Sequence, residues 1–224
     1  MRHLVMPNGV LRFHFDYLSP YSYLAWQEIP ALARRHDLRL EPTPVLLAAL
    51  LDHHGHKGPG EIPPKRAYVF KDCLRRAASL GVPFNPPFSH PFHPLLSLRA
   101  TMLDMDEERR LELVTRLFAA TWADGRDVSS TEVVGAICAE VGVPHALERI
   151  QDPVVKQRLK DATTKAIQLG VFGVPTMLVG DELFWGTDSF QHLEGYLAGD
   201  DPVATTDLGA WEAVPLSAVR PRSR

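Results

Sequence analysis

Hydrophobic and polar positions alternate near the start of the chain and then switch to a helical period. Leu11, Phe13 and Phe15 fall on one side and Arg12, His14 and Asp16 on the other, which predicts a strand. Ser19-Pro20 follows at once: serine is a preferred N-cap, and proline suits the first helical position because its missing N–H would be unpaired there anyway. Tyr21, Leu24 and Ala25 then carry helical spacing, predicting a helix over 20–35 with a kink or break at Pro30. Residues 38–42 predict a second strand, parallel to the first through a crossover and ended by Pro42 and Pro44, then a short apolar helix over 45–51. A Gly/Pro/His-rich loop spans 52–64, and the period is helical from 65 to 161. Ala67, Phe70, Leu74 and Ala77 form one stripe, stopped by Gly81, and a proline-rich connector spans 82–94. Helices are expected over 95–104 and 107–122, the latter with Leu111, Val114, Leu117 and Phe118 inward. Ser129-Ser130-Thr131-Glu132 reads as a capping box opening a helix through Cys138. A helix over 153–169 carries Val155, Leu159, Ala162 and Ala166, and Gly170 closes it. Strands return over 174–179 and 182–185 around a Gly180-Asp181 hairpin turn, and a last helix, capped by Asp188 or Ser189, runs to Leu197.

The order β-α-β, helical segment, β-β-α predicts an α/β protein: a thioredoxin-like fold with an inserted all-helical domain. Residues 1–51 and 170–199 would form the discontinuous thioredoxin-like domain, 52–169 the helical insertion, and 200–224 a C-terminal tail. Composition adds bounds. An apolar share of 45% supports a full core over 224 residues, and a net charge of −3 argues against a nucleic-acid partner. The longest apolar run, 45–51, is too short for a bilayer, and Pro7 interrupts the N-terminus before a signal-peptide core can form, so a cytoplasmic protein without membrane attachment is expected. Cys73 and Cys138 sit in apolar helical patterns as buried thiols, with no Cys-x-x-Cys. His53, His54 and His56 match no zinc pattern and no metal is expected; His90 and His93, each before a proline, read as turn residues.

The chemistry concentrates at two places. Ser19 puts a hydroxyl at a helix mouth, where free N–H groups and the helix dipole favour a thiolate or another anion. Val174-Pro175-Thr176 opens a strand with an X-Pro bond that can be cis. In thioredoxin-like folds a cis-proline loop faces the N-terminus of the first helix, and the residue before the proline offers its backbone to a thiol peptide lying as an extra strand.

Phe13-His14-Phe15-Asp16-Tyr17-Leu18-Ser19-Pro20-Tyr21-Ser22-Tyr23-Leu24-Ala25 and the stretch from Phe172-Gly173-Val174-Pro175-Thr176 through Phe184-Trp185-Gly186-Thr187-Asp188 resemble 2-hydroxychromene-2-carboxylate isomerases. Those enzymes group with kappa-class glutathione transferases in the DsbA-like branch of the thioredoxin superfamily. Pro63-Pro64-Lys65-Arg66-Ala67-Tyr68 resembles that family's entry into its helical domain, and the likeness spans 10–198. The resemblance implies a glutathione-dependent isomerase of aromatic catabolism, a homodimer acting on a small aromatic substrate, with glutathione or another low-molecular-weight thiol as cofactor. It implies that Ser19 stabilises the thiolate and that Pro20 and Tyr21 shape the sulfur pocket. Val174, ahead of Pro175, would pair with the cysteinyl backbone. Thr187 and Asp188 would hold the γ-glutamyl end, and His56 and Pro63 would line the glycine end. Tyr21, Phe92, Phe184 and Trp185 are candidate pocket aromatics, and Lys65 and Arg66 could steer an anionic substrate. The alternatives are a kappa-like glutathione transferase and a non-catalytic thioredoxin-fold peptide- or thiol-binding protein. A dithiol oxidoreductase is disfavoured because Ser19 and Ser22 hold the two redox positions.

Overall fold

The computed structural model describes residues 9–215. The expectations for residues 1–8 and for the end of the tail, 216–224, lie outside the described residues. The elements are β1 (Val10–Phe15), α1 (Pro20–Arg35), β2 (Arg39–Pro44), α2 (Leu47–His54), α3 (Pro63–Leu80), α4 (Leu95–Thr101), α5 (Glu107–Trp122), α6 (Thr131–Glu140), α7 (Ala146–Arg149), α8 (Pro153–Gln168), β3 (Thr176–Val179), β4 (Glu182–Trp185), α9 (Phe190–Ala198) and α10 (Gly209–Glu212). One sheet has the order β2-β1-β3-β4. β1 and β2 are parallel, while β1–β3 and β3–β4 are antiparallel. This is the thioredoxin-like fold with its helical insertion.

The alternation along β1 has a different consequence from a half-solvated strand. Leu11, Phe13 and Phe15 are fully buried, but so are His14 and Asp16 on the opposite side. Phe13 meets Trp26 of α1 at 5.6 Å and Phe15 meets Phe118 of α5 at 5.3 Å between ring centroids. On the other side Asp16 accepts a hydrogen bond from the Leu47 N–H at the start of α2. Thr163 of α8 accepts one from Leu46. The sheet is covered on both faces, so its polar alternation marks buried polar groups rather than a wet surface.

The helical insertion shares the main core: Tyr17, Trp26, Phe118 and Trp122 belong to one apolar cluster. Burying each such ring stabilises by about 1.5–3 kcal/mol. Trp122 also donates its indole N–H to the Tyr17 carbonyl at 2.9 Å, which ties the insertion to the loop between β1 and α1.

Several local expectations are corrected. β2 runs through Pro42 and Pro44 because it is an edge strand, where a missing N–H costs no ladder bond. α1 runs as one helix through Pro30. α2 continues to His54 and ends on Gly55, left-handed at φ +66°, so the expected loop is shorter. A 3₁₀ turn (Pro59–Glu61) follows, and α3 begins at Pro63. On α3 the buried positions are Cys73 and Ala77, while Leu74 is 53% exposed. The capping box at Ser129–Glu132 does not form: Ser130 caps α6 without a side-chain bond, and Ser129 bonds Asp127 instead. Cys73 and Cys138 are buried free thiols. No helix among the described residues is long and apolar enough to cross a membrane.

Candidate thiol site at the mouth of the first helix

Ser19 is the N-cap of α1 and is 6% exposed. Its Oγ accepts the Ser22 N–H at 3.2 Å, and its carbonyl also takes the N–H groups of Ser22 and Tyr23. The cap uses only a lone pair of the hydroxyl, so its proton remains available to an anion outside the helix. Pro20 offers no N–H, and no hydrogen bond among the described residues uses the Tyr21 N–H. The helix mouth therefore carries an O–H, an open N–H and the positive end of the dipole.

The loop that presents Ser19 is pinned from behind. Asp16 is completely buried; its Oδ1 accepts the Leu18 N–H at 3.0 Å and its Oδ2 the Leu47 N–H at 2.9 Å. Its carbonyl takes the Ser19 N–H at 3.0 Å. Burial pushes the Asp16 carboxyl from the usual 3.8 up to about 6, and the two N–H donors oppose that rise without cancelling it. His14, two residues earlier on the same face, is pushed from 6.5 down to about 4, first by burial and then by Arg12, against a backbone contact with Thr176.

The Val174-Pro175 bond is cis. The antiparallel β1–β3 register ends with His14 opposite Thr176. Pro175, the residue before Thr176, therefore lies at the end of β1 where the chain turns into α1. No hydrogen bond among the described residues uses the N–H or C=O of Val174, whereas the Pro175 carbonyl is taken by Gly186. An unpaired main-chain edge beside the helix mouth is what an extended peptide needs to dock.

Tyr21, half-buried, donates its O–H to Asp72 at 3.0 Å. Arg76 donates to the same carboxylate oxygen through Nε at 2.7 Å and to the Thr187 hydroxyl through Nη1 at 2.8 Å, with its guanidinium over the Tyr21 ring. Partial burial would raise the Asp72 carboxyl, but the bonds from Arg76 and Tyr21 outweigh it and hold the group below the usual range. Tyr21, on α1, and Thr187, just past β4, are thus joined across α3. Asp188, beside Thr187 in a 3₁₀ turn, is exposed and near enough to Arg76 to favour its charge.

The other predicted residues fall differently. His56 and Pro63 are exposed and stand outside the Tyr21–Asp72–Arg76–Thr187 chain. Phe184 is buried against Tyr196 and packs in the core rather than lining a pocket. Trp185 is 53% exposed, pairs with Phe172, and lies over Gly173, where a Cβ would come within 2.9 Å of the indole nitrogen. Phe92 packs on the main core. Asp72 and Arg76 were not singled out from the sequence, where their only signal is a four-residue acid–base spacing common on solvated helices. Among the described residues no group of three or more His, Cys, Asp or Glu side chains could hold a metal ion.

Comparisons with known proteins agree with this fold. A family model described as "DSBA-like thioredoxin domain" matches residues 10–198. The chain is 33% identical over 189 residues to a 2-hydroxychromene-2-carboxylate isomerase of Sphingobium xenophagum, covering 83% of this chain and 96% of that one. It is 26% identical over 207 residues to glutathione S-transferase kappa 1 of Rattus norvegicus, covering 85% and 91%. A solved 2-hydroxychromene-2-carboxylate isomerase structure superposes with a TM-score of 0.78 at 26% identity, covering 84% of this chain and 94% of that one. Since the match runs from the first strand through the helix that follows the last one, the chain belongs to the DSBA-like thioredoxin domain family, in company with these isomerases and kappa-class transferases.

Proposed function

We propose that the protein is a glutathione-dependent isomerase of the 2-hydroxychromene-2-carboxylate type. The observation that carries this is the buried Ser19 hydroxyl, its proton unclaimed, at a helix mouth beside a cis-proline edge whose Val174 backbone groups are unpaired. The residues present suit a thiol tripeptide: an anion site for sulfur, an open main-chain edge for the cysteinyl unit, and Arg76, Thr187 and Asp188 for a zwitterionic amino-acid head. Bound glutathione would supply a nucleophilic sulfur for reversible addition to the unsaturated carbon of the chromene, with ring opening, bond rotation and release of the thiol giving the trans-benzylidenepyruvate.

The chain's own part is orientation and electrostatics. A free thiol has a pKa of about 8.5, so near neutral pH most of it is protonated. Ser19 would donate to the sulfur and the α1 dipole would add a positive potential, which together would favour the thiolate. Val174 would set the register of the tripeptide through its N–H and C=O. Arg76 would face the carboxylate of the γ-glutamyl end while Asp188 accepts from its ammonium. Asp72 holds Arg76 in place and also fixes the Tyr21 hydroxyl.

Calorimetry and thermal denaturation with glutathione test this directly. Glutathione at about 100 times its Kd is expected to stabilise the protein by about 2.7 kcal/mol. Arg76→Ala is expected to weaken glutathione at least tenfold, with roughly 1.5–3 kcal/mol lost along with the charged contact. Heat denaturation unchanged by millimolar glutathione, together with no turnover of 2-hydroxychromene-2-carboxylate, would refute the assignment.

A further inference from the structure

His90 lies in the proline-rich connector between α3 and α4 and reads in sequence as a turn residue. In the fold it reaches the thiol site. Its Nε2 is 3.2 Å from the Leu18 carbonyl, the residue directly before Ser19. A carbonyl oxygen can only accept, so Nε2 carries the proton and the neutral ring presents Nδ1 as a lone pair. Nδ1 is sealed from solvent and has no hydrogen-bond partner among the described residues. The ring stands edge-on to Phe70 of α3 at 5.3 Å and tilted against Trp122 of α5 at 5.8 Å between centroids. Gly60, in the 3₁₀ turn, leaves it room: a Cβ there would meet Cε1 at 3.2 Å.

Leu18 is therefore gripped at both of its main-chain polar groups. Asp16 takes its N–H and His90 holds its C=O. The neighbouring Tyr17 carbonyl is held by Trp122. Two of these three grips come from the helical insertion. We propose that His90 is a positioning residue whose Nε2–H fixes the Leu18 peptide, so that the helical insertion sets the aim of the Ser19 hydroxyl and the Tyr21 N–H. Its consequence for catalysis rests on the thiol-site function proposed above.

The clamp holds only while the ring is neutral. A proton on Nδ1 would be a buried donor with no acceptor, and Arg66 is the charged group beside the ring, donating to the His90 carbonyl at 2.9 Å. Leu18, Gly60, Phe70 and Trp122, from the other elements packed around it, bring no charge. Burial, and then Arg66, lower the affinity of His90 for a proton, against the Leu18 bond. Acidification below the usual histidine range should therefore eject the ring and free the loop.

Amide exchange on the full-length protein tests this without any ligand. In His90→Phe, which keeps the packing and removes the donor, the hydrogen-bonded amides of Leu18, Ser19, Ser22 and Tyr23 are expected to exchange about tenfold faster, as loss of one hydrogen bond allows. In His90→Gln, whose amide can still donate to Leu18, protection is expected to stay within about twofold of wild type. Wild type should lose protection of this segment, beyond the intrinsic pH effect, with the midpoint of the His90 ring's own titration followed by NMR, and His90→Gln should not. His90→Phe exchanging like wild type, or His90→Gln exchanging like His90→Phe, overturns the proposal. If His90→Phe does not fold, the acid dependence of wild type against His90→Gln decides it. Glutathione calorimetry on wild type is scored separately: absent binding with the expected exchange pattern removes the function and leaves the clamp, and normal binding without that pattern does the reverse.

Discussion

Replacing Ser19 with alanine is expected to lower turnover of 2-hydroxychromene-2-carboxylate by about tenfold to a hundredfold. A hydrogen bond to a charged group contributes about 1.5–3 kcal/mol, and each 1.4 kcal/mol is a factor of about ten in rate. The loss should fall on the thiolate. The ultraviolet absorbance of bound glutathione should titrate at higher pH in the variant, and the rate at saturating glutathione should rise more steeply with pH. Ser19 also caps α1, so the variant should lose about 1 kcal/mol of stability, measured by urea denaturation and separable from the kinetic effect. A variant that turns over like wild type, with an unmoved thiolate titration, would mean that the hydroxyl serves only as a cap.

The second large effect lies beneath the site, in the buried pair of titrating groups at the end of β1, His14 in the strand and Asp16 just past it. Asp16 binds its proton more tightly when folded, at about 6 against a usual 3.8. Its contribution to stability is therefore full at low pH and is lost as pH rises through that window. His14 binds its proton less tightly when folded, at about 4 against 6.5, so its contribution is full above 6.5 and is lost as pH falls. Each shift corresponds to roughly 3 kcal/mol at 1.36 kcal/mol per unit. The two oppose one another between pH 4 and 6, and wild-type stability should carry little net slope from them. Asp16→Asn should gain on wild type by up to about 3 kcal/mol as pH rises from 4 to 6, whatever its baseline loss. His14→Gln should gain by a similar amount, about 3 kcal/mol, as pH falls from 6.5 to 4. Urea denaturation of the three proteins across this range measures both. Parallel curves for wild type and Asp16→Asn would show that Asp16 titrates normally in the fold.

The same pair shows where pattern alone stops. His14 and Asp16 alternate with three core residues, which is what a strand with one wet face also looks like. Only the packing of α2 and α8 over that face makes them buried. Ser129-Ser130-Thr131-Glu132 fits a capping box, yet Asp127 competes for Ser129 and the box does not close. Leu74 fits an apolar stripe, yet α3 turns Cys73 and Ala77 inward.

The sequence by itself determined the order of elements and the two features of the candidate thiol site, the Ser19 cap and the Val174-Pro175 turn. A period of two before Ser19-Pro20, a helical period after it, and Val-Pro ahead of a hairpin are local signals, set by backbone geometry within a few residues. Tertiary structure alone decided what surrounds Ser19. The Tyr21–Asp72 bond joins residues 51 apart, His90 meets Leu18 across 72, and Arg76 meets Thr187 across 111. No local period records such pairings. They exist because the helical insertion folds back over the helix mouth and buries its aromatic face there, bringing an imidazole, a carboxylate and a guanidinium to a site whose hydroxyl belongs to the first helix.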